Sequence, residues 1–294
     1  MAPKIVFIVP YRDRAPQLNV FRIMMKNLLE DYDESSYQIC IAHQTDKRPF
    51  NRGAIKNLGF IAMKHKYPND YQDITFVFHD VDTFPCWKGL LNYETSHGVV
   101  KHFYGFKHTL GGIVSITGKD FERINGFPCF WSYGYEDNLL QTRCLRAKIR
   151  IDRSVFFPIG HPYIFQSVDQ FVKSVNRNWK QLLRNDDISN GISTLSNIRY
   201  DWDNEFVNFR NFDTKMKVTD EDRMDVNMLT NKPINNKSNL FKLNVNAVNP
   251  PANTNVDRRE NIRMVGKINA MPLGSVTNRA RFMRRGGLGF MTKQ

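Results

Sequence analysis

The chain has 294 residues, 41% hydrophobic and 24% charged, with a mean hydropathy of −0.48. That composition excludes collagen and a wholly disordered chain, and no stretch approaches the ~20 apolar residues of a membrane span. The net charge of +13 favours anionic partners such as phosphates, nucleotides or nucleic acid, and it is uneven: from Arg258 onward nine Lys/Arg stand against one acid, Glu260. Cys40, Cys86, Cys129 and Cys144 form no CxxC pair and read as reduced thiols.

Lys4–Pro10 (KIVFIVP) is a short β-branched apolar run, as in a buried strand. Pro16 can open a helix, in which Leu18, Phe21, Met25, Leu28 and Leu29 recur at helical spacing. Tyr37–Ala42 reads as a second strand, Arg52–His65 as a second helix and Ile74–Phe78 as a third strand. This order predicts a mainly parallel sheet flanked by helices, with its ligand crevice beyond the strand C-termini. The polar clusters Tyr11–Arg14, His43–Arg52 and His79–Asp82 fall there. Farther on, GIVSIT and KIRI read as strands, and Asp120–Ile124 and Asp137–Arg146 as helices. From Asp203 to Gln294, 16 of 92 residues are Asn and periodicity is poor. The expected division is a catalytic domain over 1–202 and an Asn-rich basic appendage over 203–294, partly extended or disordered.

Four motifs carry chemistry. In FVFHDVDTFP a strand ends in Asp80-Val81-Asp82, two carboxylates able to share a hard divalent cation that neutralises a diphosphate. Solvated aspartates in a turn give the same pattern. A strand followed by DVDT also occurs in haloacid-dehalogenase-type phosphatases, but there it sits on the first core strand and a later GDxxxD follows. In PFNRGAIKNLGF, Arg52 stands at a helix N-terminus, where backbone N–H groups and a guanidinium both address an anion, and Phe50 can pack on a base. In PYRDR, Arg12 and Arg14 leave the first strand where a nucleotide would lie. In NGFPCFWSYGYEDN, five aromatic residues precede Glu136-Asp137, acids that suit either a helix dipole or a sugar hydroxyl.

In this order and spacing the motifs resemble the β-1,4-galactosyltransferase family, inverting enzymes of GT-A fold (glycosyltransferase family 7). The resemblance rests on Pro10-Tyr11-Arg12-Asp13-Arg14, Phe50-Asn51-Arg52-Gly53, Asp80-Val81-Asp82, Gly111-Gly112-Ile113 and Asn125-Gly126-Phe127 with Trp131-Ser132-Tyr133-Gly134-Tyr135-Glu136-Asp137. A weaker echo covers Asn185–Ser196. The resemblance implies a GT-A-type mixed, mainly parallel sheet. It implies transfer of galactose or N-acetylgalactosamine from a UDP-sugar to a sugar acceptor, with Mn²⁺ as cofactor. Pro10, Arg12, Arg14, Phe50 and Arg52 would flank the nucleotide. Asp80 would contact the donor, Gly112 would underlie the donor sugar, and Trp131 and Tyr133 would shape the sugar pocket. Glu136 would bind sugar hydroxyls, Asp137 would be the general base, and Asp82 with His161 would hold the metal. Residues 162–178 would form a lid.

The departures are specific. The family's W-G-W-G is W-S-Y-G here, a third acid is replaced by Asn138, and His161 follows Asp137 by 24 residues, fewer than in the family. Thr109 replaces a bulky Tyr two residues before Gly111, opening space for an N-acetyl group. The sequence starts at its first strand and its cysteines do not match the family's, so a cytoplasmic protein of microbial or viral source is expected. The alternative is a degenerate transferase domain that binds nucleic acid or an anionic assembly through its basic tail.

Overall fold

The computed structural model describes residues 1–167, 171–184, 186–219, 221–230 and 232–234. Strand β1 (Ile5–Tyr11) lies at the centre of the main sheet. Around it stand β2 (Tyr37–Gln44), β3 (Thr75–His79), β5 (Val99–Gly105), β6 (Ile113–Thr117), β7 (Arg150–Asp152), β11 (Ser196–Asp203) and β12 (Phe206–Asp213). The order is β11-β12-β2-β1-β3-β6-β5-β7, with the short β8 (Phe157–Pro158) beside β5. Strands β12, β2, β1 and β3 run parallel, and β6 is antiparallel to both β3 and β5. The expected mixed, mainly parallel sheet is therefore present.

Two helical layers form because β1 alternates its side chains between faces. Val6 and Ile8 pack with α2 (Arg52–Lys66), α3 (Gly118–Arg123) and α4 (Glu136–Arg146). Ile5, Phe7 and Val9 pack with Leu18, Phe21, Met25 and Leu28 of α1 (Ala15–Leu28). Helix α2 starts where the Asn51 side chain accepts from Ala54 N–H at 2.9 Å, an N-cap, and ends in Lys64, His65 and Lys66, which suit the dipole. Strand β5 escaped the sequence reading because Lys101 and His102 interrupt its apolar run; His102 is nonetheless fully buried.

The boundary expected after residue 202 is corrected. It falls inside the β11–β12 hairpin, and β12 pairs with β2 through Phe206–Phe209. Val207, Phe209 and Phe212 are fully buried. Two of the Asn residues that suggested an appendage are hairpin polar groups: Asn208 meets His43 Nδ1 at 2.9 Å, and Asn211 donates to the Asn197 carbonyl at 3.1 Å. Farther on, β13 (Arg223–Asn227) pairs with β10 (Val172–Asn176) and with β14 (Lys232–Pro233). The short β4 (Thr83–Pro85) pairs with β9 (Ile164–Gln166), and α5 (Trp179–Arg184) follows β10. The compact unit runs to Lys237, so the division lies some 35 residues later than expected. The basic tail after Arg258 lies outside the described residues, as do residues 168–170 of the expected lid. Among the described residues no helix is long and apolar enough to cross a membrane.

Candidate active site

A cavity of about 410 Å³ opens beyond the C-terminal ends of β1 and β3, where a parallel sheet places its ligand crevice. Nine of the expected site residues line it: Pro10, Arg12, Arg14, Phe50, Arg52, Asp80, Asp82, Trp131 and Tyr133. Lys173 adds a cation from β10, within the expected lid segment, and Arg223 adds one from β13, a segment where the sequence carried no site signal. Five Lys/Arg and three Asp line the wall, a balance that suits a diphosphate.

Arg52 is the hub. Its Nη1 donates to Glu136 Oε1 at 2.8 Å and to Asp137 Oδ2 at 3.0 Å, while Nη2 donates to Asp80 Oδ1. Burial opposes its charge, but Asp80, Asp137 and Glu136 together hold the guanidinium well above its ordinary value. The two acids on the first turn of α4 are driven apart. Burial and the neighbouring charge of Asp137 push Glu136 up. Burial alone would raise Asp137 too, but the charges and hydrogen bonds of Lys56 and Arg52 bring it below the usual carboxylate range. Asp137 is thus the ionised member of the pair and Glu136 the one that holds a proton more readily. Neither lines the cavity wall directly; Arg52, which does, is ion-paired to both.

The loop before β6 supports this pair. Leu110 N–H donates to the Asp137 carbonyl at 2.9 Å, and a Cβ on Gly111 would collide with Asp137 Oδ2. Gly112 has φ +75, where a side chain is strained, and its carbonyl accepts from Asp80 N–H at 3.1 Å. The Leu110–Gly112 stretch therefore touches both Asp80 and Asp137. His102 Nε2 lies 3.1 Å from the Gly111 carbonyl, and its Nδ1 accepts from Arg153 Nε at 3.0 Å. Burial and the Arg153 charge hold it neutral, with a pKa of about 4. Thr109 is 8% exposed and its hydroxyl donates to the Phe106 carbonyl at 3.2 Å, so it does not face the cavity as the sequence reading expected.

Arg12 is tethered rather than open: Nη2 donates to the Asp46 carbonyl at 2.9 Å and Nη1 to the Arg48 carbonyl. Arg14 Nη1 lies 3.2 Å from Asp82 Oδ2, and Thr83 Oγ1 donates to Asp82 Oδ1 at 3.0 Å. Burial and the charge of Asp80 push the Asp82 carboxyl up despite Arg14 and Arg52. Trp131 stacks on Phe212, rings 5.6 Å apart, and its Nε1 donates to the Met216 carbonyl at 2.8 Å. Tyr133 is 43% exposed under the Lys173 ammonium.

His161 does not line the cavity. It packs among Phe157 and Tyr163, and its Nδ1 accepts from Tyr163 N–H at 3.2 Å. Among the described residues no group of three or more His, Cys, Asp and Glu is arranged to hold a metal ion. His79, beside the Asp pair, is a core residue between Phe7, Phe21 and Tyr93, held neutral by burial with a pKa of about 4. Lys56 escaped the sequence reading. The signal was present: a charge one turn after Arg52, inside an otherwise apolar helix stretch.

Residues 1–89 match the N-terminal region of glycosyl transferase group 7, and residues 96–166 the N-terminal domain of galactosyltransferase. Xylosylprotein 4-beta-galactosyltransferase of Caenorhabditis elegans is 31% identical over 159 residues, 51% of this chain and 53% of that protein. Human beta-1,4-galactosyltransferase 6 is 29% identical over 161 residues, 51% of this chain and 40% of that protein. Beta-1,4-galactosyltransferase 5 of Danio rerio is 27% identical over 232 residues, 74% of this chain and 56% of that protein. The chain spans about half the length of the curated relatives it matches. Two crystal structures of Drosophila beta-1,4-galactosyltransferase 7 share the GT-A fold. One holds xylobiose (TM-score 0.53, 21% identity); the other is a mutant with manganese, UDP-Gal and xylobiose (TM-score 0.57, 20% identity). Each likeness covers 71% of this chain and 94% of the other.

Proposed function

We propose that this chain, which belongs to the glycosyl transferase group 7 family, transfers galactose or N-acetylgalactosamine from a UDP-sugar to an acceptor sugar hydroxyl with inversion, forming a β-linkage. The observation that carries the reading is the split acid pair: Glu136 and Asp137 share Arg52 Nη1 beside a cation-lined cavity at the strand C-termini.

A single in-line displacement needs one base and no protein nucleophile. Asp137, ionised and held on both oxygens, takes the proton of the acceptor hydroxyl. That oxygen attacks the anomeric carbon from the face opposite the leaving group, and the C–O bond to UDP breaks with its electron pair leaving on the diphosphate. Glu136 accepts or donates to sugar hydroxyls. Arg52 and Arg14 line the side where the diphosphate charge develops. Phe50 and Tyr133 line the same cavity, and in this reading they offer aromatic faces to the base and to the sugar.

The donor set fits a cation held jointly by the protein and the substrate. Asp82 is a hard oxygen donor whose proton affinity is raised by burial and by Asp80, a site in which added positive charge is favourable. The remaining ligands would come from diphosphate oxygens. As placed, His161 offers no lone pair: with Nδ1 accepting from Tyr163 N–H, the neutral ring carries its proton on Nε2. It joins Asp82 only after that bond is given up. When bound, Mn²⁺ would neutralise charge on the departing nucleoside diphosphate.

The test is a donor-by-acceptor screen with Mn²⁺, using UDP-Gal, UDP-GalNAc and UDP-glucose against xylose-, glucose- and N-acetylglucosamine-terminated acceptors, xylobiose included. Transfer of galactose or N-acetylgalactosamine is expected. Absence of any transfer, with UDP still bound, supports the binding-protein alternative.

A further inference from the structure

Helix α2 is buried without interruption from residue 53 to residue 63, and Lys56, in the middle of that stretch, is 2% exposed. A lysine there has no path to water, so its charge must be met inside the protein. It is met by one carboxylate: Nζ lies 2.9 Å from Asp137 Oδ1. Arg52, four residues earlier on the same helix face, takes the other oxygen, Oδ2, at 3.0 Å. Two like charges at that spacing repel on a bare helix; here one carboxylate lies between them. The ammonium also rests 4.2 Å from the ring centroid of Phe127. Phe127 is fixed in turn, its N–H donating at 2.9 Å to Oδ1 of Asn57, the residue next to Lys56. Gly111 closes a further side, since a Cβ there would collide with Asp137 Oδ2. The Asp137 side chain is 17% exposed, enough to be reached and too confined to swing.

We propose that Lys56 is a positioning residue for the transfer reaction, holding the Asp137 carboxylate ionised and in one orientation for the acceptor hydroxyl. This rests on the reading of Asp137 as the base. The groups facing Asp137 are Lys56 and Arg52 from α2, Glu136 on its own helix, neutral His102 from β5, Tyr133 from the aromatic loop, and Asp80 across Arg52. Two cations thus meet three carboxylates, and without Lys56 one cation meets three. The adjacent acids of α4 would then retain a proton that the native site lacks, and the group that keeps it cannot act as a base.

The sign of the pH effect follows. Losing a positive charge favours the neutral carboxyl, so activity is lost at low pH and recovered as pH rises. Lys56→Met keeps length without charge, and Lys56→Gln keeps a hydrogen-bond donor without charge. Both are measured for kcat against pH at saturating Mn²⁺, UDP-galactose and the best acceptor of the screen, and for UDP affinity. The expected result is UDP affinity within about threefold of wild type, an acid limb moved up by about one unit or more, and kcat on the acid side of both limbs lower by roughly tenfold or more. A pH-independent loss, or a wild-type limb in Lys56→Gln, overturns the proposal. Asp137→Asn separates the two claims: a fully active Asp137→Asn sinks the base reading itself, whereas an inactive one beside an unshifted Lys56→Met sinks only the role of Lys56. The wild-type profile gives a check free of mutant folding, since an acid limb above about pH 6 is incompatible with a carboxylate held in this way.

Discussion

Arg52 Nη1 lies 3.0 Å from Asp137 Oδ2 and places the same nitrogen 2.8 Å from Glu136, so one guanidinium is counter-ion to both acids of the pair. Removing it leaves buried carboxylates without their shared partner. Arg52→Ala should destabilise the fold by about 3 kcal/mol, the lower end for a broken buried pair because its side chain is 20% exposed. Urea unfolding measures this.

The pH dependence of Asp137→Asn has a definite sign. Because the Asp137 carboxyl is held low in the folded chain, its contribution is present above the ordinary carboxylate range and lost as pH falls through the lowered value. The variant should be less stable than wild type at pH 7, with the gap closing below about pH 4. Thermal melts across pH 3–8 read the gap; a constant difference would show that Asp137 is not charge-stabilised.

Asp82 and His161 should separate cleanly. Asp82 lines the cavity beside Arg14, while the His161 ring is engaged with Tyr163 N–H. Asp82→Ala should abolish turnover, and EDTA should mimic it. His161→Ala should retain Mn²⁺ activation with less than about a tenfold loss. Mn²⁺ titrations of both variants test this, and full activity in EDTA would reject the metal altogether.

Trp131 and Phe212 stack with an interplanar angle of 8°, which ties the cavity wall to the strand after Asp203. A chain ending at residue 202 removes β12 and should fail to fold, while one ending at Lys237 should fold and bind UDP. Trp131→Phe keeps the stack and loses the hydrogen bond to Met216, at a cost of about 1 kcal/mol. Solubility and UDP-induced thermal shift of the two truncations decide the first point.

The half of the sheet built from β1, β2 and β3 was legible because each strand is an apolar run ended by polar residues, and periodicity reports burial directly. The residues past those strands were legible for the same reason: strand ends fix where Arg12, Arg14, Asp80 and Asp82 emerge. The pairing of β12 with β2 was not legible, because Phe206 stands 165 positions from its partner Ile41 and only spatial contact shows that FVNFRNFD is half-buried. Arg223 was missed because it enters the cavity from β13, whose pairing with β10 joins segments about 50 residues apart. His161 shows the reverse case. The family resemblance supplied its role, while its ring orientation depends on Tyr163, a contact no spacing encodes.

The most direct measurement is the anomeric configuration of the transfer product, read by proton NMR of the reaction with UDP-galactose, Mn²⁺ and the best acceptor, run with wild type and with Asp137→Asn. The expected result is a β-linked product from wild type, and a kcat lower by roughly 10²–10⁴ in Asp137→Asn with UDP affinity nearly unchanged. An α-linked product, or wild-type turnover by Asp137→Asn, would contradict single-displacement transfer with Asp137 as its base.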